Sequence, residues 1–181
     1  MHYYETITLK DGRTCVLRNG TRQDAQASLD VFVRTHEQTD NLLTYPDEIT
    51  FTAEDQAAYL QTKTDSVDEI EILAEVGGKV VGMGGIERIG RQEKLRHRAE
   101  FGVSIDRDYW NLGIGRALTR ACVACAKSTG YAQLELQAVA DNEHALALYR
   151  SEGFAEYGRN PMGFRSRLTG WQPLVLMRKE L

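Results

Sequence analysis

Cysteine is scarce in this chain: Cys15, Cys122 and Cys125 are the only three among 181 residues. That number excludes a disulfide framework and makes a reducing, cytoplasmic setting the expectation. No apolar run approaches bilayer-spanning length, and the N-terminus carries no signal-peptide pattern, so no membrane partner is expected. Basic residues are not in surplus. The 22 Lys and Arg against 26 Asp and Glu leave a net charge of -4, which argues against nucleic acid as a partner. His2, His36, His97 and His144 show no ligand spacing, so no metal is expected. There is no internal repeat, linker or low-complexity stretch. What remains is one globular domain, residues 1–181, long enough for a proper core.

Periodicity and turn residues divide the chain. Tyr4 to Leu9 and Thr14 to Arg18 alternate around Asp11-Gly12, whose residues tolerate positive φ, so a hairpin is expected. Thr21-Arg22-Gln23-Asp24 resembles a helix start, with a hydroxyl cap and an acid three residues on, and the helix runs to about His36. Thr52-Ala53-Glu54-Asp55 repeats the signal before a shorter helix ending near Thr62. Between them, Gln38 to Phe51 is a loop long enough to suggest function, bordering a substrate. Ile70 to Val76 and Lys79 to Ile89 flank the Gly77-Gly78 turn as a second hairpin. Gly90 to His97 is a polar, basic connection. Arg98 to Ile105 is a strand, with Ala99, Phe101, Val103 and Ile105 on one face and Glu100, Gly102 and Ser104 on the other. A helix from Ile114 to Ser128, a strand from Tyr131 to Val139 and a helix from Asp141 to Ser151 follow. Phe154 to Gly158 and Trp171 to Lys179 close the chain as strands around an Asn160 to Gly170 loop. Hairpins first and strand-helix-strand later make an α/β or α+β fold. We expect a mixed, mostly antiparallel twisted sheet of about six to seven strands, flanked by about four helices.

Trp110-Asn111-Leu112-Gly113-Ile114-Gly115 joins the strand ending at Ile105 to the helix starting at Ile114. The first amides of a helix have no partner inside it, and the helix dipole adds positive charge there. Glycine lets the backbone approach a phosphate closely. A P-loop requires Gly-Lys-Ser/Thr, but Gly115 is followed by Arg116 and Ala117. The dinucleotide fingerprint requires a third glycine where Leu118 stands. The (Q/R)-x-x-G-x-(G/A) turn that cradles the pyrophosphate of coenzyme A fits at both glycines and departs at Trp110.

Downstream, Asn142, Ala145, Leu148, Tyr149, Gly153 and Phe154 match the spacing N-x-x-A-x-x-L-Y-x-x-x-G-F. With the glycine turn, this resembles the GCN5-related N-acetyltransferases over roughly Ile70 to Leu181. The resemblance implies acetyl-CoA as co-substrate, no metal, and a small-molecule or protein amine as acceptor. It implies that Asn111, Leu112, Gly113, Ile114, Gly115, Arg116 and Ala117 surround the pyrophosphate. Val103, Ser104 and Ile105 would line the pantetheine arm, Asn142 would bond its amides, and a splayed central strand pair would open the slot. Tyr149 resembles the general acid: a phenol with pKa about 10 can protonate a departing thiolate. Glu100 is the candidate base, directly or through a water, beside the small Gly102 and Ser104, with Glu87 as second choice. Its pKa must rise from about 4.3 to serve near neutrality.

Plainer roles compete with these. Tyr149 is otherwise a core tyrosine, Asn142 a helix cap and Glu100 a solvent-facing strand residue. Cys122 and Cys125 sit mid-helix without a second pair and read as small buried residues. The basic run Arg91 to Arg98 reads as a solvated connection. The leading function is direct acetyl transfer to a primary amine in a ternary complex, since no cysteine is placed to form an acyl-enzyme. The alternatives are detoxification of an amino-acid analogue or antibiotic by the same reaction, and an acyl-CoA sensor without turnover. The assembly state stays open, with a homodimer among the options.

Overall fold

The computed structural model describes residues 1–181. The chain opens with β1 (Tyr4–Thr8) and β2 (Thr14–Asn19), then α1 (Ala25–Glu37) and α2 (Ala53–Asp65). Next come β3 (Ile70–Val76), β4 (Lys79–Arg88), β5 (Arg98–Ile105), α3 (Ile114–Ser128), β6 (Gln133–Val139) and α4 (Glu143–Ser151). β7 (Ala155–Ser166) and β8 (Gly170–Glu180) finish it. All eight strands form one sheet in the order β1-β2-β3-β4-β5-β6-β8-β7. Only β5 and β6 run parallel.

The two N-terminal helix signals resolve differently. Before α2, Thr52 Oγ1 accepts from the Asp55 amide while the Asp55 carboxylate accepts from the Thr52 amide, a reciprocal cap. That helix runs three residues past the expected Thr62, to Asp65, held by the buried Lys63. At Thr21 the same signal makes a single tight turn over Arg22–Asp24, and the α-helix proper begins at Ala25.

The expected Asn160 to Gly170 loop is a correction. β7 continues through it to Ser166, paired with β8 across a register shift between Asn160 and Phe164. Pro161 and the two glycines suggested a break. β7 lies at the sheet edge, where a proline costs no ladder bond, and Gly163 faces Leu174 too closely for any side chain.

Strand alternation sorts the two faces. Ile70, Ile72, Ala99 and Phe101 join Leu118, Cys122 and Cys125 of α3 and Leu146 of α4 in the main core. Leu73 and Met83 pack with Val31 and Phe32 of α1 on the opposite face. Thus α1 and α2 cover one face, and α3 and α4 the other. The three cysteines are free and buried. Burial pushes the Cys125 thiol up to about 11 and Cys122 well above its ordinary value, so both act as small core residues.

Candidate active site

The site begins where the sheet divides. β5 and β6 pair only from Arg98 to Glu100 and from Gln133 to Glu135. Beyond that row β6 stays with β8, and Phe101 to Ile105 have β4 alone as a partner. The fork opens a cavity of about 540 Å³ between β5, the start of α3 and α4.

At its mouth stands the glycine turn. Asn111 and Gly113 both have left-handed backbones, with φ 64° and 102°. The first bond inside α3 runs from the Ala117 amide to Gly113 O, at 3.1 Å. Ile114, Gly115 and Arg116 therefore keep free amides at the positive end of the helix. Two of the expected residues, Leu112 and Ala117, do not line the cavity. Ala117 spends its amide on Gly113, and Leu112 packs into the core while its carbonyl accepts from the Lys10 amide. Val103, Ser104, Ile105, Asn111, Gly113, Ile114, Gly115, Arg116, Asn142 and Tyr149 all line the cavity. The two glycines have separate reasons. Gly113 answers its positive φ, with open space where a Cβ would stand. At Gly115 a Cβ would press on Ile105 Cδ1 at 3.2 Å and Leu148 Cδ2 at 3.3 Å.

Trp110, the position that departs from the coenzyme A turn, ties that turn down. Its indole N–H donates to Ile105 O at 2.7 Å, and Arg107 stacks on its ring. Behind it the buried Asp106 pairs with Arg34 of α1 at 2.8 Å and accepts from Gln38 at 3.0 Å. The Asp106 anchor was not foreseen, because Arg34 and Gln38 lie about 70 residues away in sequence; the Trp110 anchor is local and carries no recognisable motif.

Asn142 caps α4, its Oδ1 accepting from the Ala145 amide at 3.2 Å. Its side-chain NH₂ makes no protein hydrogen bond, so the capping and ligand-binding roles are compatible. Tyr149 is 8% exposed and stands edge-on to Phe101 and Phe154 at 6.1 and 6.0 Å. Its hydroxyl has no protein partner. Burial pushes its pKa up to about 12, so the proton stays on.

The other face of β5 carries Glu100. Register places Glu87, Glu100 and Glu135 side by side on β4, β5 and β6. Glu135 is clamped by Arg98 at 2.5 and 2.8 Å. Glu87 pairs with Lys63 at 2.8 Å and accepts from Tyr59 at 3.1 Å. Glu100 has neither hydrogen bond nor ion pair. Burial, then the charges of Glu87 and Glu135, raise its pKa. That leaves Glu100, of the three, free to take a proton.

Glu100 opens into a second cavity of about 780 Å³, under α1 and α2. Phe101, Gly102, Val103 and Ser104 line both cavities, so the two meet across β5. It is lined by Asn41 to Thr44 and Phe51 of the long loop, by residues of α1 and α2, and by Phe164 of β7. Asp40 bonds Ser166 and Gln172, and Arg167 lies over the Tyr45 ring at 4.1 Å, so the loop is pinned to the β7–β8 hairpin. Glu71 and Tyr59 also line this cavity and were missed. The available signal was an acid inside the apolar run Ile70-Glu71-Ile72.

A split sheet, an anion-ready helix start and two cavities meeting at one strand define an α/β protein built around a forked strand pair. Residues 33–154 match the Acetyltransferase (GNAT) family, and the chain belongs to it. Over 85 residues it is 40% identical to the N-alpha-acetyltransferase RimI of Mycobacterium tuberculosis, covering 47% of this chain and 51% of that protein. The chain spans about half the length of the curated relatives it matches, or less. A GNAT-family acetyltransferase from Streptococcus pneumoniae superposes with a TM-score of 0.88 at 26% identity, covering 92% of this chain and 99% of that one. The ribosomal-protein-alanine N-acetyltransferase from Brucella melitensis gives 0.80, also at 26% identity, covering 91% and 99%.

Proposed function

We propose that the protein moves an acetyl group from acetyl-CoA to a primary amine by direct attack in a ternary complex. The observation that carries this is the junction of the β5–β6 fork with the free amides of α3. Residues fit the co-substrate at both ends. Ile114, Gly115 and Arg116 hold the pyrophosphate with backbone N–H groups, and the edge of β5 that β6 leaves unpaired, from Val103 to the Ile105 amide, takes the pantetheine arm, the Ile105 carbonyl being held by Trp110. The Asn142 NH₂ donates to an amide carbonyl of that arm. Acetyl-CoA supplies the activated thioester.

Glu100 receives the proton that the acceptor ammonium must lose before attack, directly or through water. The new C–N bond replaces the C–S bond, Tyr149 gives its proton to the departing sulfur, and the second proton lost by the acylated nitrogen passes through solvent to restore the phenol. Its raised pKa keeps that proton available at neutral pH. Glu87 is the weaker base candidate, because Lys63 and Tyr59 already occupy it. The acceptor is a small-molecule or protein amine. An antibiotic or amino-acid analogue would use the same residues. The reading requires no metal, nucleic acid or second subunit, and its setting is the cytoplasm.

A sensor without turnover would use the same cleft. The Tyr149 hydroxyl, free of protein partners in the cleft, favours catalysis. Thiol release from acetyl-CoA across a panel of amines tests the assignment. Tight coenzyme A binding with no thiol release from any amine would identify a sensor instead.

A further inference from the structure

Glu71 is a buried acid that the chemistry above leaves idle. It is 7% exposed, on β3, opposite Gly85 of β4. A Cβ at Gly85 would collide with Glu71 Oε2, so the carboxylate lies across β4 in the space the glycine leaves. The next residue in that row is Gly102 of β5, where a Cβ would meet nothing within 4 Å. Glu71 is thus aimed over two glycines into the open cavity that Glu100 also faces.

Its bonding is incomplete. Oε2 accepts from the Tyr59 hydroxyl at 3.0 Å, and Oε1 has no hydrogen-bond partner. Tyr59 is also 3.1 Å from Glu87, and one phenol proton serves one carboxylate at a time. The other acids of this cavity are accounted for: Glu87 has Lys63, and Asp55 caps α2. Glu71 and Glu100 alone lack a cation or a cap. Gly85 and Gly102 lie between them, and Phe32, Leu42, Phe51 and Phe164 line the same cavity beside the neutral Asn41, Gln56 and Gln137. Two unpaired carboxylates in one cavity that also offers apolar and aromatic surface complement a short chain with an ammonium at each end.

We propose that the acceptor is a small diamine or polyamine, with Glu100 meeting the amine to be acetylated and Glu71 holding a second ammonium. This rests on the acetyltransferase reading and names its substrate class. Burial, opposed by the Tyr59 hydrogen bond, sets the Glu71 pKa at about 7, with Glu87 raising it and Lys63 lowering it. The other titratable groups near it are Glu100, His36 of α1 and, behind the sheet, Cys122 of α3. Burial lowers the His36 pKa, so its change of charge falls on the acid side of this window. A second ammonium binds the ionised Glu71. Diamine affinity therefore rises as pH rises through about 7, a range in which the diamine itself stays protonated.

The test compares putrescine with butylamine, using full-length protein and acetyl-CoA. The wild type should favour putrescine in kcat/KM by about tenfold or more, mostly through KM, as expected for a hydrogen-bonded charge. Glu71→Gln should bring that ratio near one, and Gly85→Ala, which displaces the carboxylate, should move it the same way. Calorimetry should show putrescine affinity rising between pH 6 and 8 in the wild type and rising less in Glu71→Gln, where Glu100 alone still titrates. Unchanged coenzyme A affinity checks that the variants fold. A wild type indifferent between the two amines, or a ratio that survives Glu71→Gln, overturns the diamine proposal while the acetyltransferase reading stands. No turnover of any amine together with no affinity for coenzyme A overturns the acetyltransferase reading itself.

Discussion

Tyr149 and Glu100 sit on opposite sides of β5, and each is expected to fail in its own way. Tyr149→Phe keeps the ring against Phe101 and Phe154 and removes only the hydroxyl. If that hydroxyl protonates the leaving sulfur, kcat should fall by roughly 10²-fold while the donor KM moves little. Because its pKa lies near 12, the group stays protonated, and the defect should be level from weakly acidic to weakly alkaline pH. An acyl donor with a more acidic thiol should shrink it. Full rate with a raised donor KM would reduce Tyr149 to a positioning role. Glu100 works only when ionised, and its pKa is raised, so wild-type rate should climb as pH rises through that value. Glu100→Gln should lower the rate most near neutrality and least at high pH, where free amine is abundant. An equal loss at every pH would point to acceptor binding, and Glu87→Gln would be the next variant. Both residues were legible because a motif or an alternating strand singled them out. Glu71 was not, since its role depends on two glycines from neighbouring strands.

The glycine turn and the start of α3 form the proposed cofactor seat. If the free amides of Ile114, Gly115 and Arg116 act on phosphate as proposed, affinity should depend on the phosphates themselves. Acetyl-pantetheine, which lacks them, should show a KM at least tenfold above that of acetyl-CoA, given about 1.5–3 kcal/mol per charged hydrogen bond. Similar KM values would place the pyrophosphate elsewhere. Gly113→Val is a poor probe, because φ 102° strains any side chain there whatever the ligand does. Trp110→Phe is cleaner. It keeps an aromatic ring for Arg107 and removes the 2.7 Å bond to Ile105. It should raise the donor KM several-fold with kcat nearly kept, as measured by initial rates. Helix and strand positions at this scale followed the sequence closely. Where expectation failed, in β7 beyond Gly158, local proline and glycine were outweighed by pairing with β8.

Across the whole molecule, one ionisation should show in stability. Glu71 has a pKa of about 7 in the fold against 4.5 when unperturbed. A raised carboxyl pKa means the folded state binds the proton more tightly. Its contribution is therefore full below about pH 4.5 and is lost as pH rises through about 7. Glu71→Gln should gain stability relative to wild type across that window, by up to about 3 kcal/mol, from ~1.4 kcal/mol per pKa unit. Urea unfolding at pH 4.5 and pH 8 measures it, and a difference independent of pH would mean Glu71 is not protonated in the fold. The sequence by itself determined the class of fold, the strand-turn-helix with its glycine turn and the Asn142–Tyr149 helix. Those are local patterns: side-chain periodicity, caps and glycine spacing act between residues a few positions apart. Only the tertiary structure decided that β5 and β6 part after Glu100, that Asp106 ties the turn to α1 and Gln38, and that Glu71 shares a cavity with Glu100. Each of these depends on strand register and on contacts between distant segments, which the packing of the whole sheet sets.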